Sequence, residues 1–437
     1  MRQVTPEAAA PDPPPRRRTL TGLAAVGLMA VTAAVAQAFG RLTYGILLPA
    51  IRDDFGLSNT VAGSLATVNV AAYLVGTLVV AWATARYRLL AVMRVGMLLA
   101  VAGLALSAAA PSVAVLAVGL FLLGLGGALT WIPTPAIAAD AMAPEKRAFA
   151  IGVLGSGIGL GVVFTGQLAG IVRSTLGDES WRTVYAVQCL IGVVVVVGAM
   201  ALVGHRQDRP TANAGTGGLA ALRRTRGWAP MTCAYTTFGL MYLLVLGFLT
   251  TRLEDDSGWT TSQASLAFSL LGVAVIFGGP LFIAITGKIG PRLALTTAFA
   301  TWGIVTLVII PGWLGPTLVS STVLGLLFSG MPIMFTLYFV SNTTPEDYGP
   351  AFAVATLAFG VAQMVSPQVG GSIADIAGSF TLVFLLSAGL AVVGLIAALS
   401  LPRDGQPVSS PAADWREINM TFAIAPVEAP EDAPVEA

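Results

Sequence analysis

An all-α membrane protein, with twelve transmembrane helices in two pseudo-symmetric six-helix bundles, follows from three properties of this 437-residue sequence. It is 56% hydrophobic and only 10% charged, against about 25% charged residues in soluble domains. Its apolar residues gather in twelve runs long enough to cross roughly 30 Å of hydrocarbon as helices. Its second half repeats features of its first at a nearly constant offset.

The runs are read in order at 20–51, 60–84, 89–110, 112–142, 148–173, 182–204, 228–252, 261–286, 291–311, 316–342, 350–376 and 379–402. Residues 1–19, with Pro13, Pro14, Pro15 and Arg16, Arg17, Arg18, are expected to form a disordered cytoplasmic tail. The first run continues for about 30 residues before Arg52, too long for a signal-peptide core, so it reads as an uncleaved span. The fourth carries Pro133 and Pro135 and the tenth Pro332, bends rather than breaks when neighbouring groups satisfy the freed carbonyl. The fifth is glycine-rich from Gly155 to Gly170, which suits close helix packing; with no strand before it, it is not a phosphate loop. Residues 205–227, with five arginines, read as a cytoplasmic linker between bundles at 20–204 and 228–402, and the Pro/Ala/Glu-rich stretch 403–437 as a cytoplasmic tail.

With the N-terminus in the cytoplasm, eighteen Lys and Arg fall inside and four outside (Arg52, Arg173, Arg182 and Arg252), leaving Arg41 of the 23. That asymmetry supports both the number of spans and the orientation in a cell (inner) membrane, with both termini cytoplasmic. Net charge is +1, with no basic surplus for nucleic acid. One histidine, His205, and two cysteines inside apolar runs give neither a metal cluster nor a disulfide framework, and no cofactor is expected.

The repeat sets "DDFGLSNTVAG" (53–63) against "DDSGWTTSQAS" (255–265), an offset of 202 that also pairs Gly76 with Gly278, Arg86 with Lys288 and Asp140 with Asn342. Offsets of 201 and 203 match "GQLAG" (166–170) to "PQVGG" (367–371) and "AFA" (148–150) to "AFA" (351–353). An ordered series at one offset argues for duplication. Over residues 20–402 the chain resembles a major facilitator superfamily (MFS) transporter. "GKIGPR" (287–292) is similar to the family's D-R-x-G-R-R loop, with Gly287 in place of the aspartate, and "ATARYR" (83–88) keeps the basic positions Arg86 and Arg88. "PEKR" (144–147) and "WRTVY" (181–185) match family loops, while "GRLTYGILLP" with "NVAAYLVG" (69–76) resembles the YbfB/YjiJ-like branch. The sequence departs from the proton-coupled pattern at Leu120, where an arginine is usual, and from the antiporter pattern at Gln167, where a proline is usual.

Within the spans, Arg41 is the residue that asks for an explanation. It lies about 30 Å along a helix from the inner end and about 16 Å from Arg52. A mid-membrane arginine costs about 2.5–3.5 kcal/mol on insertion scales unless it faces a bundle interior or a wet cavity. Three readings stand: outward snorkelling, a structural ion pair, for which mid-span acids are missing, and a two-pronged grip on an anionic substrate. At 3.6 residues per turn Gln37, Arg41 and Tyr44 share a face. Asn69 and Tyr73 on the second helix, and Tyr235 and Tyr242 on the seventh, complete the candidate substrate set. Arg86, Asp140, Lys288, Arg292 and Asn342 form a candidate gate at the inner end.

These features predict a secondary transporter of a small, anionic or amphipathic organic solute working by alternating access, monomeric in the bilayer and with no nucleic-acid partner. A drug or metabolite efflux antiporter is the alternative, and a non-transporting sensor or scaffold the rival of another class. With no H-E-x-x-H, Ser/His pair or paired mid-span acids, no enzyme is expected. His205 and the acids at 53–54, 178, 255–256 and 375 all sit at span ends. Coupling therefore stays open among facilitated diffusion, exchange with a counter-solute, and a proton carried on the substrate or on Asp140; import and export are not distinguished.

Overall fold

The computed structural model describes residues 20–202 and 217–403. The expected tails at 1–19 and 404–437, His205 and most of the linker lie outside the described residues. The described part is helical, in the order α1 (Gly22–Phe55), α2 (Asn59–Thr84), α3 (Leu89–Ala108), α4 (Val113–Asp140), α5 (Arg147–Leu176) and α6 (Trp181–Leu202). A short helix, Gly218–Arg224, then leads into α7, which spans Trp228–Leu246 and runs on irregularly to Asp256.

Thr261–Ile309 forms one 49-residue helical element, one of eleven long and apolar enough to cross a membrane. At about 1.5 Å per residue it would measure about 73 Å, more than twice the hydrocarbon thickness. It breaks at Gly290, whose φ of 79° and ψ of 156° reverse the chain inside "GKIGPR". We number its arms α8 (261–289) and α9 (291–309); α10 (Leu314–Asn342), α11 (Pro345–Ala377) and α12 (Thr381–Leu399) complete the molecule. Divided at Gly290, these elements follow the twelve apolar runs of the sequence.

Packing carries the duplication into three dimensions. In the first half α1 packs on α5, α2 on α4 and α3 on α6; in the second, α7 packs on α11, α8 on α10 and α9 on α12. Between the halves α2 packs on α11 and α5 on α8, contacts that exchange when the halves are exchanged. Glycine lets the first pair approach closely: a Cβ on Gly63 would stand 2.3 Å from the Pro367 carbonyl oxygen, and one on Gly371 2.1 Å from that of Asn59. Small residues at such crossings are how membrane helices associate without a hydrophobic drive between them. We call the end bearing Gly218–Arg224 and Gly290 the linker end, and the other the distal end.

Candidate functional site

The central site begins with an irregularity in α1. Residues Ala34–Leu42 are wound as a π-helix, flanked by α-helix on both sides. Such a segment bonds i→i+5, so it frees carbonyls and shifts the register of the residues after it. Two buried amides brace it from other helices. Asn69 of α2, 4% exposed, donates to the Gly40 carbonyl at 3.0 Å and to Leu120 of α4 at 2.9 Å. Gln188 of α6, fully buried, joins the hydroxyls of Thr43 at 3.0 Å and Thr165 at 3.1 Å.

Braced this way, α1 aims Arg41 at the seam between the halves. Nη2 donates to the Gln363 Oε1 of α11 at 3.0 Å, and the guanidinium lies 4.3 Å from the Tyr73 ring centre. Tyr242 of α7 also lies close enough to the guanidinium to interact with it electrostatically. Gln37, one turn back on α1, reaches the Tyr73 hydroxyl at 3.5 Å. Arg41, Gln37 and Tyr73 are half-buried. Among the described residues no carboxylate pairs with Arg41; its side chain turns instead to Gln363 of the other half and to the Tyr73 ring.

Opposite the guanidinium stands an aromatic wall from the second half. Tyr235 stacks on Phe359 at 4.5 Å with 13° between planes and packs against Phe335 at 4.6 Å. Tyr242 lies 5.3 Å from both Phe238 and Phe328 and 6.2 Å from Phe359. The wall therefore reaches Arg41 through Tyr242.

Of the candidate substrate residues, Gln37, Arg41, Tyr73 and Tyr242 come together, with Tyr235 one layer behind. Tyr44 does not join them: its hydroxyl donates to the Ala62 carbonyl at 2.8 Å in a buried position, because the π segment turns it off the face of Arg41. Asn69 uses both amide hydrogens on backbone. Gln363 was missed; it shares a face with Phe359 at i, i+4, but a lone glutamine in an apolar helix carries no signal of its own.

At the linker end three of the candidate gate residues, Arg86, Arg292 and Asn342, bond within their own halves. Arg86 donates to the Trp82 carbonyl and lies over that ring, Arg292 donates to Leu399 at 2.6 Å, and Asn342 to Tyr338 at 2.9 Å; Lys288 is exposed, and Asp140 closes α4. Among the described residues, several side-chain ties between the halves gather toward the distal end. Arg173 of α5 holds Glu254 through two bonds of 2.9 and 2.8 Å. Arg52 pairs with Asp255 and donates to Asn59, while Asp375 accepts from the Asn59 and Thr60 amides at 2.9 and 2.8 Å, capping α2 from the other half. Gln167 donates to Ser269 at 2.8 Å, and its repeat mate Gln368 meets Ser64. Thr250 donates to the Gly45 carbonyl at 2.7 Å. Burial pushes the Glu254 carboxyl above the ordinary range even with Arg173 beside it.

The sequence that builds this fold matches, over residues 33–399, the family model for the uncharacterised MFS-type transporter YbfB. The chain belongs to this MFS transporter family. Among curated relatives, a probable actinorhodin transporter of Streptomyces coelicolor is 28% identical over 326 residues, 68% of this chain and 55% of that protein. The uncharacterized transporter YgaY of Escherichia coli is 32% identical over 148 residues, 33% of this chain and 36% of its own length. The matches thus span about half or less of these relatives. The uncharacterized MFS-type transporter YfhI of Bacillus subtilis is 26% identical over 365 residues, covering 80% of this chain and 87% of that one. Solved structures with the same fold include the peptide transporter POT (TM-score 0.67, 16% identity, 87% of this chain and 96% of that one). Another is an inward-facing, unoccupied bacterial homologue of the lysosomal transporter Spinster (0.66, 16%, 85% and 95%). The protein is a multi-pass membrane protein of the MFS transporter family.

Proposed function

We propose that this transporter moves a small anionic or amphipathic organic solute by alternating access, with Arg41 as the anchor for the negative group. One observation carries the reading: a half-buried guanidinium held between the halves on Tyr73 and Gln363, near Tyr242, with no carboxylate partner among the described residues. A guanidinium offers two parallel donors that match a carboxylate or phosphate. Gln37 and Tyr73 line the near side, and Tyr235 and Tyr242 the far side.

Alternating access is supported by where the ties between the halves fall. They run from Arg41 to the distal end, as in a carrier closed there, with units 20–204 and 228–402 rocking about the seam. Arg86, Asp140, Lys288, Arg292 and Asn342 would then form the linker-end latch of the opposite state. The excess of basic residues on linker-end loops supports an inner-membrane orientation with that end in the cytoplasm.

A second reading, efflux of an aromatic or hydrophobic metabolite by antiport, is favoured by the aromatic wall and the fifth-helix glycines, and suits the relative described as a probable actinorhodin transporter. The test is uptake of labelled solutes into proteoliposomes, with and without a pH gradient, for wild type and Arg41→Gln. An anion carried by wild type should be lost in the variant while folding is retained. Equal transport by both removes Arg41 from the site, and a neutral hydrophobic solute carried equally well by both supports the second reading. Acceleration by the pH gradient would mark a coupled proton.

A further inference from the structure

We propose that Gln363 is an intramolecular stand-in for the substrate's anionic group: its Oε1 occupies Arg41 in the empty transporter and is displaced by the carboxylate of an aromatic acid. This rests on the reading of Arg41 as the anion anchor and adds the substrate class and the event that accompanies binding.

The geometry supplies three reasons. First, Oε1 sits 3.0 Å from Nη2, the place and distance a carboxylate oxygen takes against a guanidinium. Gln363 is 5% exposed, so it is held in this position rather than swinging in water. A neutral amide oxygen is the weaker acceptor, so an ionised one displaces it. Second, the bond joins α1 to α11 across the seam; exchanging it for substrate replaces a direct tie between halves with one that runs through the solute. Third, Phe359 stands one turn from Gln363 on the same face, is half-buried, and stacks with Tyr235 in a layer that continues to Tyr242 at the guanidinium. A planar ring carrying the carboxylate would extend that stack, which favours aromatic over saturated bodies of similar size.

The experiment is equilibrium binding to the full-length protein in detergent, read by ligand-induced rise in melting temperature, with benzoate, cyclohexanecarboxylate and acetate as probes. Wild type should bind benzoate at least about threefold more tightly than cyclohexanecarboxylate, and acetate weakest. Gln363→Met removes the stand-in and leaves Arg41 open, so it should bind benzoate as tightly as wild type or more so. Gln363→Glu places a permanent rival carboxylate on Arg41; it should weaken benzoate at least about tenfold, with the empty protein melting no lower than wild type. Arg41→Gln should lose benzoate altogether.

Benzoate binding lost in Arg41→Gln but as strong in Gln363→Glu as in wild type overturns the stand-in while leaving the anchor. Loss in Gln363→Met as complete as in Arg41→Gln makes Gln363 a direct ligand and overturns it too, a result that stands even where Gln363→Glu fails to fold. Binding unaffected by Arg41→Gln overturns the anchor itself. A wild type that binds none of the three acids, or prefers the saturated one, overturns the substrate class.

Discussion

Tyr44 and Arg41 lie three residues apart and do opposite things. The tyrosine hydroxyl is consumed by the Ala62 carbonyl in a dry position, so Tyr44→Phe should leave transport unchanged and cost about 0.6 kcal/mol, the usual worth of an interhelical hydrogen bond in a membrane. Uptake and thermal unfolding in detergent check both halves of that statement. Arg41→Lys should transport as poorly as Arg41→Gln, because an ammonium keeps the charge but gives neither the two-pronged grip nor the flat face against Tyr73. Asn69→Leu removes donors from two buried carbonyls at once, at Gly40 and Leu120. It should cost about 1–3 kcal/mol in stability and disturb Arg41 through the π segment, read as a lower melting temperature and weaker anion binding. The sequence singles out Arg41 because charge is expensive in a span. It groups Tyr44 with Gln37 on a face drawn at 3.6 residues per turn, and the π segment at Ala34–Leu42, which no local composition announces, shifts that register.

Individual helices were largely legible, since length and hydropathy are local properties that the bilayer enforces. The break between α8 and α9 was visible as "GKIGPR", although the helical hydrogen-bond pattern runs on across Gly290. Which helices cross between halves was less visible, yet the repeat pointed to it: "GQLAG" and "PQVGG" are among the segments through which α5 and α11 touch the opposite half, with Gln167 on Ser269 and Gln368 at Ser64. The glutamine that departs from the antiporter pattern is thus part of the seam. Gly63 and Gly371 are the tightest contacts of the α2–α11 crossing. Gly371→Leu should prop the distal end apart, seen as faster labelling by a membrane-impermeant thiol reagent of a cysteine placed at Ser64. Unchanged labelling would show that the crossing yields without opening.

For the molecule as a whole, the sequence directed attention to the linker-end loops, where several of its motif resemblances lie, whereas the ties between the halves among the described residues fall at the other end. Under the alternating-access proposal the structure would hold one side of the cycle, whereas the sequence carries the residues of both. Arg173 and Glu254 give the distal closure a charge that can be exchanged: Arg173→Glu or Glu254→Arg alone should increase distal labelling, and the double variant should restore it. The pH dependence follows from Glu254, which lies beyond the membrane-spanning part of α7 and faces Arg173, Asp178 and Asp255. Its carboxyl is raised by burial when the distal end is closed and returns to the ordinary range when exposed, so the closed state binds the proton more strongly. Acidification through that interval should therefore favour distal closure, alkalinisation should favour opening, and Glu254→Gln should flatten the response, all measured by the same labelling assay.

The distal rim carries one more consequence of the duplication. At the offset of 202, Arg52 corresponds to Glu254 and Arg173 to Asp375, so equivalent corners are basic in one bundle and acidic in its sibling. Arg173 meets Glu254 directly, and Arg52 reaches Asp375 through Asn59. Two copies of the same bundle facing each other would set cation against cation or acid against acid. At these two positions the contacts therefore favour the pairing of unlike bundles over like ones, a specificity built from the charges that would repel in the wrong pairing.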